Sequence, residues 1–331
     1  MPESLVKAAG VSKHFSVSRR GENKLLKAVN NVSFTVERGE TVGLVGESGC
    51  GKSTLGRTIL NLYSATSGEV YFRGERIDQY HYKKMLPLRK EMQMIYQDPF
   101  TSLNPKMRIY QLIQAPLDAF KIGTKQERMD QVVQMMGEVG LGKEYLYKYP
   151  HEMSGGQRQR VVIARAMISH PSFVVCDEPV SALDVSVRSQ VLNLMNDLQK
   201  KTGVAYLFIS HDLSVVSHIC SRIIVMYLGS VVEAAECREL FENPVHPYVK
   251  ALLSAIPIPD VDIKRQRIIL EGDVPSPINP PGGCTFHTRC PYARPECREQ
   301  VPQLRDMGGG HWVSCHFSEE MAAANRIQTP V

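Results

Sequence analysis

No stretch of about 18 apolar residues, the length a helix needs to cross a bilayer, occurs in the chain. The charge-free apolar run from Ile223 to Val232 is far too short. The N-terminus, MPESLVKAAGVSKHF, also lacks the basic start and apolar core of a signal peptide, so the chain is expected to stay inside the cell and to reach any membrane through partners. Nor is there a basic tract. The net charge of +5, from 39 basic and 34 acidic residues, is spread along 331 positions and gives no reason to expect nucleic acid as a partner. The short basic runs Arg19-Arg20 and Lys264 to Arg267 read as solvated surface before phosphate or headgroup contacts. Internal repeats and long heptad segments are missing too, which removes solenoids and coiled coils from consideration.

What is present is a globular composition. A hydrophobic share of 43% rules out a disordered chain, and the length exceeds what one core usually holds, so two or three domains are expected. Residues 1 to about 40 carry short β-like stretches, Leu5 to Ala9 and Val32 to Val36, separated by turn residues. Thr41 to Val45 reads as a buried strand running into a glycine-rich loop. From about Phe100 to His170 the apolar spacing becomes helical, most clearly over Glu127 to Gly140 and Gln157 to Ser169, which predicts a subsidiary helical region at about 100–170. β-rich runs return at Phe173 to Cys176, Val204 to Ser210 and Arg222 to Leu228, with a helical segment, Val185 to Lys201, between the first two. That alternation predicts the α/β class with a largely parallel sheet. A composition break near Ala255 to Asp262, then Pro275, Pro277, Pro280 and Pro281, should stop regular structure. Residues 1–255 are therefore expected to form one unit and 256–331 a separate tail module.

Gly46-Glu47-Ser48-Gly49-Cys50-Gly51-Lys52-Ser53 fits GxxxxGKS, with an apolar strand before it and a helix-compatible segment, Thr54 to Leu62, after it. Glycines let backbone wrap closely around phosphate, and successive N–H groups at a helix N-terminus face the anion. Lys52 is expected to reach the β- and γ-phosphates of ATP and Ser53 to ligate Mg²⁺. A second element answers the first: the apolar strand Phe173-Val174-Val175-Cys176 ends in Asp177 and Glu178. Asp177 is expected to hold Mg²⁺, and Glu178 to polarise the attacking water as general base.

Between these elements Ser154-Gly155-Gly156-Gln157, preceded by Met153, opens a helical segment. Here the chain resembles the ABC ATPase family, whose signature is usually written LSGGQ. Met153 stands where Leu is usual, an exchange of similar volume that should not cost function. The resemblance implies a P-loop NTPase with a RecA-like core, an antiparallel β subdomain and a helical subdomain, using ATP and Mg²⁺. It implies that Gln97 in the segment YQDPF senses the γ-phosphate, takes part in the Mg²⁺ site and contacts transmembrane partners. It also implies that Ser181-Ala182-Leu183-Asp184 is the D-loop, that His211 holds the γ-phosphate, and that Phe15 stacks on adenine. In this family the signature residues face the ATP of a second subunit, so hydrolysis needs a dimer.

His246-Pro247-Tyr248 with the following Ala251-Leu252-Leu253-Ser254-Ala255-Ile256-Pro257, together with Pro275-Ser276-Pro277 and Pro280-Pro281-Gly282-Gly283-Cys284, resembles the end of the oligopeptide and dipeptide importer ATPases. Nickel importers and some oligosaccharide importers share it. The resemblance implies a second related ATPase subunit, two permease proteins and an extracytoplasmic substrate-binding protein as partners, and a place at the cytoplasmic face of the membrane. A soluble ABC ATPase acting on nucleic acid or ribosomes is the competing class, but the chain has one cassette and no long heptad segment. Of eight cysteines, Cys284, Cys290, Cys297 and Cys315 are spaced Cx5Cx6Cx17C, which suits a four-thiolate site for zinc or an iron–sulfur cluster. Spacing leaves both open, and the importer resemblance favours a 4Fe-4S cluster. His287, His311 and His316 read as surface or supporting residues rather than ligands. Cys50, Cys176, Cys220 and Cys237 are dispersed and read as structural, Cys50 also as an oxidation liability within the phosphate loop.

Overall fold

A computed structural model describes residues 4–19, 22–256 and 267–326. Arg20, most of the run Lys264 to Arg267 and the composition break from residue 257 onward lie outside the described residues. Strands β1 (Val6–Arg19), β2 (Glu22–Val36), β4 (Ser67–Phe72) and β5 (Glu75–Arg76) form one antiparallel sheet, ordered β2-β1-β4-β5. The first two are much longer than the short stretches the sequence suggests. The β1–β2 register shifts at Ala8/Val11, Val11/Lys13 and Lys13/His14, and such bulges break the alternation by which a strand is read.

Among the described residues the second sheet has eight strands. Between β3 (Thr41–Val45) and β4 lies α1 (Lys52–Ile59), and α2 (Tyr82–Arg89) precedes β6 (Met92–Ile95). Helices α3 (Pro99–Ser102), α4 (Ile109–Ala119), α5 (Lys125–Glu138) and α6 (Gly155–Met167) follow without an intervening strand. Then come β7 (Phe173–Asp177), α7 (Val185–Thr202), β8 (Ala205–Ser210), α8 (Leu213–Ser217), β9 (Arg222–Tyr227) and β10 (Ser230–Glu236). Strands β9, β3, β8, β7 and β6 are neighbours in that order and all parallel. β3, β7 and β8 are buried at every position, as strands covered on both faces must be. Their alternate residues feed two cores. Phe173, Val175, Leu207 and Ile209 join the core beneath the antiparallel sheet and α1. Val174, Cys176, Tyr206 and Phe208 join the one shared with α4 to α7.

After α9 (Cys237–Glu242) and α10 (Pro247–Ser254), the described residues from 267 to 294 contain no helix or strand, as the prolines suggest. The tail, however, does not stand apart. Beyond α11 (Pro295–Glu299), β11 (Arg305–Asp306) and β12 (Trp312–Val313) extend the main sheet, with Val313 opposite Glu233 and Trp312 opposite Ala234 of β10, before α12 (Ser318–Arg326). Without this ribbon β10 would present an unpaired edge. The Glu233 side chain is fully buried and accepts the backbone N–H groups of Val245 and His246. Its carboxylate also lies 2.7 Å from His311 Nε2, which ties the tail to the sheet.

Candidate functional site

Strand order explains why distant residues converge. In the row β3-β8-β7-β6 the pairs Val45↔Ser210, Asp177↔Ile209 and Ile95↔Cys176 put four carboxyl ends side by side. The loop Gly46 to Ser53 leaves β3, His211 follows β8, Asp177 and Glu178 close β7, and Gln97 follows β6. Crevices at the carboxyl ends of parallel strands are where such sheets bind ligands.

The loop after β3 wraps onto the N-terminus of α1. Gly51 has φ 104°, and a Cβ there would lie 2.0 Å from the Ala28 carbonyl oxygen, so only glycine lets the loop pass that close to β2. Ser48, Gly49, Gly51, Lys52, Ser53 and Thr54 line a cavity of about 290 Å³, together with Phe15, Gln97 and Glu178 among others. Lys52 is buried, its ammonium donating to the carbonyls of Gly46 (2.6 Å) and Glu47 (3.0 Å). Backbone amides at a helix N-terminus plus one buried ammonium make an anion cradle. A larger cavity of about 590 Å³, lined by Glu40, Arg222 and Phe241, gathers none of these residues.

Two carboxylates stand at the cradle in different surroundings. Ser53 Oγ donates to Asp177 Oδ1 at 2.6 Å, and Arg57 approaches the other oxygen at 3.7 Å. Burial pushes the Asp177 carboxyl above the usual carboxylate range, and Ser53 and Arg57 offset only part of that. A buried oxygen pair of this kind is a donor set a hard divalent cation would satisfy. Glu178 has φ 47°, the left-handed region that non-glycine residues rarely adopt, while its N–H donates to Ile209 at 3.0 Å. Its carboxylate accepts from Gln97 Nε2 at 2.9 Å and lies 3.2 Å from His211 Nδ1. A strained backbone holding a carboxylate between two polar side chains at a cavity mouth points to chemistry rather than packing.

Comparison with known proteins decides the family. Residues 29–181 match the ABC transporter family, and residues 232–297 match the C-terminal region of oligopeptide/dipeptide transporters. The oligopeptide transport ATP-binding protein AppF of Bacillus subtilis is 48% identical over 322 residues, covering 95% of this chain and 98% of AppF. The chain belongs to the ABC transporter ATP-binding proteins. Among solved structures, the dimeric cassette MJ0796 with ADP and Pi superposes with a TM-score of 0.64 at 27% identity, over 71% of this chain and 99% of that one. Part of the transporter complex cbiONQ, cbiO1 of Clostridium perfringens, gives 0.63 at 25% identity over 72% and 91%.

In this ABC ATPase the signature forms a capping box: Ser154 Oγ accepts from the Gln157 N–H, while Gln157 Oε1 accepts from the Ser154 N–H. Gly156 lets α6 meet α7, since a Cβ there would fall 2.4 Å from Val187. Ser154, Gly155, Gly156 and Gln157 do not line this cavity of their own chain, nor does Asp184, which stands exposed at the N-cap position of α7 with no side-chain capping bond. Phe15 lines the cavity, edge-on to Tyr63 with ring centres 5.6 Å apart. Leu26, Ala28 and Pro277 line it as well, and no sequence signal marked them. The oxidation liability expected of Cys50 is not supported. Its thiol is buried against the loop, and burial raises its pKa, which disfavours the reactive thiolate.

Cys284, Cys290, Cys297 and Cys315 all line one small, largely enclosed pocket with Phe286, His287 and His316. Burial pushes the thiols of Cys284 and Cys290 up to about 11. Among the described residues no group of three or more His, Cys, Asp or Glu side chains is gathered closely enough to hold a metal ion. His311 is directed to Glu233 instead of this pocket, and His316 Nε2 lies 2.9 Å from the Gln300 carbonyl.

Proposed function

We propose that this chain is the ATP-hydrolysing subunit of an importer for di- and oligopeptides. The observation that carries the reading is the set Gln97, Glu178 and His211, held together at the mouth of a phosphate cradle. Lys52, now folded onto the carbonyls of Gly46 and Glu47, exchanges those acceptors for the β- and γ-phosphates of ATP. Ser53, Asp177 and Gln97 would hold Mg²⁺, which would supply charge neutralisation at the phosphates. Glu178 accepts the proton of the attacking water, with Gln97 and His211 keeping its carboxylate aimed at the cavity.

Because the signature residues stand outside their own cavity, they serve the ATP of a neighbouring, related subunit. Glu178, Lys52 and the partner's copy of the signature then act on one nucleotide, and opening after hydrolysis moves the helical region α3 to α6. Docking of two permease proteins is supported by a cavity of about 300 Å³ next to Gln97, lined by Leu62, Met94, Tyr96 and Pro116. Leu62, Tyr96 and the nearby Phe100 are exposed apolar side chains of the kind a partner covers. Among the described residues no helix is long and apolar enough to cross a membrane, so attachment at the cytoplasmic face runs through those permeases. An extracytoplasmic binding protein completes the importer and selects the peptide.

The four tail cysteines would hold a 4Fe-4S cluster. Their convergence on one pocket supports it. Such a cluster would supply a redox-sensitive crosslink of the tail. Uptake of labelled di- and oligopeptides in a deletion strain tests the main reading. Loss of peptide uptake, restored by the gene but not by its Lys52→Ala form, is expected; intact peptide uptake with loss of nickel or sugar uptake overturns the substrate.

A further inference from the structure

We propose that Arg289 is a positioning residue of the ATP site, gripping Glu47 from the C-terminal tail and so holding the phosphate loop in its binding conformation. The inference rests on the ATP-site reading above and goes beyond it, because it assigns the tail a part in nucleotide binding.

Arg289 Nη1 and Nη2 donate to the two Glu47 carboxylate oxygens at 2.7 and 3.2 Å, a two-pronged pair between residues 242 apart in the chain. The guanidinium is only 8% exposed and the carboxylate 27%, so the pair is far better shielded from water than an ordinary surface ion pair. Glu47 is held at its other end too: its N–H donates to Tyr248 Oη at 2.9 Å. Its carbonyl takes the Lys52 ammonium. The second residue of the loop is thus clamped from three directions, two of them by residues of the segment 232–297 that matches the transporter C-terminal region.

The platform behind Arg289 is rigid. Phe286, 1% exposed, is wedged against Tyr227, Tyr248 and His246 with ring centres 5.2 to 5.5 Å apart. The Arg289 N–H donates to the Phe286 carbonyl at 3.0 Å, and the guanidinium lies over the Tyr227 ring at 5.9 Å. A side chain held this way has little rotamer freedom left to lose.

Two consequences follow for an anionic ligand. A loop ordered in advance does not have to be ordered at the moment of binding, which strengthens affinity without a new contact. Pairing Glu47 with a cation also removes the repulsion that a bare carboxylate beside the cradle would exert on phosphate. Both act on binding and leave Glu178 untouched, so the effect belongs in Kd and KM rather than kcat.

The test compares full-length wild type, Arg289→Ala, Arg289→Lys and Lys52→Ala by MgATP titration calorimetry and by ATPase kinetics. Arg289→Ala should raise Kd and KM about tenfold with kcat within about threefold of wild type. Arg289→Lys, which keeps one charged donor, should recover part of the affinity. Amide exchange over residues 46–51 should quicken in Arg289→Ala while β7 and β8 keep their protection. A folded Arg289→Ala that binds MgATP like wild type overturns the proposal. If Arg289→Ala does not fold, Arg289→Lys decides: unchanged affinity overturns the proposal and a several-fold loss supports it. Equal MgATP binding by wild type and Lys52→Ala would bring down the ATP-site reading itself.

Discussion

Ser53 and Asp177, 124 residues apart, share a 2.6 Å hydrogen bond that joins the phosphate loop to the end of β7. Ser53 lies in the first turn of α1, which has no side-chain cap, and the buried Asp177 carboxylate at the strand end is otherwise approached by Arg57 at 3.7 Å. Asp177→Asn should keep the fold and lose the cation. ATP hydrolysis should fall at least about a hundredfold, and raising Mg²⁺ should not restore it. Wild-type turnover in Asp177→Asn at millimolar Mg²⁺ would dismiss this pairing as the metal site.

Glu178→Gln replaces the base by a group that still accepts from Gln97 but takes no proton. Hydrolysis should drop by about 10² to 10⁴ while ATP affinity stays. With the sandwich unable to turn over, an ATP-dependent dimer should accumulate and be visible by size-exclusion chromatography with light scattering. Near-normal turnover in the assembled transporter would contradict the assignment.

At Gly51 the constraint is steric. A Cβ 2.0 Å from the Ala28 carbonyl, on a residue at φ 104°, forces the loop away from β2. Gly51→Ala should lose about 1–3 kcal/mol of stability from backbone strain alone. MgATP affinity should fall as well, because the displaced segment carries the cradle's amides. Retained melting temperature and retained affinity together would refute the close approach.

The tie between tail and sheet predicts a pH dependence. Burial opposes charging His311, but hydrogen bonds to Glu233 and Glu239 and their charges outweigh it, so the imidazolium form is favoured and its pKa lies above the ordinary value. A raised folded-state pKa contributes stability that is fully present below the unfolded value of about 6.5 and is lost as pH rises through the folded value. The urea midpoint should decline over that window, and His311→Gln should flatten the decline. Parallel pH profiles for the two proteins would sink the idea.

For the tail cysteines, anaerobically purified protein should be brown, with iron and sulfide each at about four per chain, and Cys297→Ala should lose both. Stoichiometric zinc without iron would reject the cluster.

Much of the site was readable because it is local. A glycine-rich loop between strand and helix, and an acidic pair ending an apolar strand, are contiguous patterns, and Gly46 to Ser53 do lie between β3 and α1 while Asp177 and Glu178 lie at the end of β7. The parallel core was readable for a similar reason, since strands buried on both faces are uninterrupted apolar runs, as β3, β7 and β8 are. The full length of β1 and β2 was not, because bulges break the alternation that reveals a strand.

By itself, then, the amino-acid sequence determined the local pieces: a glycine-rich loop between strand and helix, an acidic pair ending a buried strand, and four cysteines close together in the tail. Only the tertiary structure decided what those groups lean on. Strand order, which no local pattern encodes, brings Gln97 and His211 to the same carboxylate. Pairing of Glu233 with Val313 turns the expected separate tail into an edge of the main sheet. The tertiary structure also joins Arg289 to Glu47, two charges 242 residues apart that no local pattern could pair, with the guanidinium largely shielded from water.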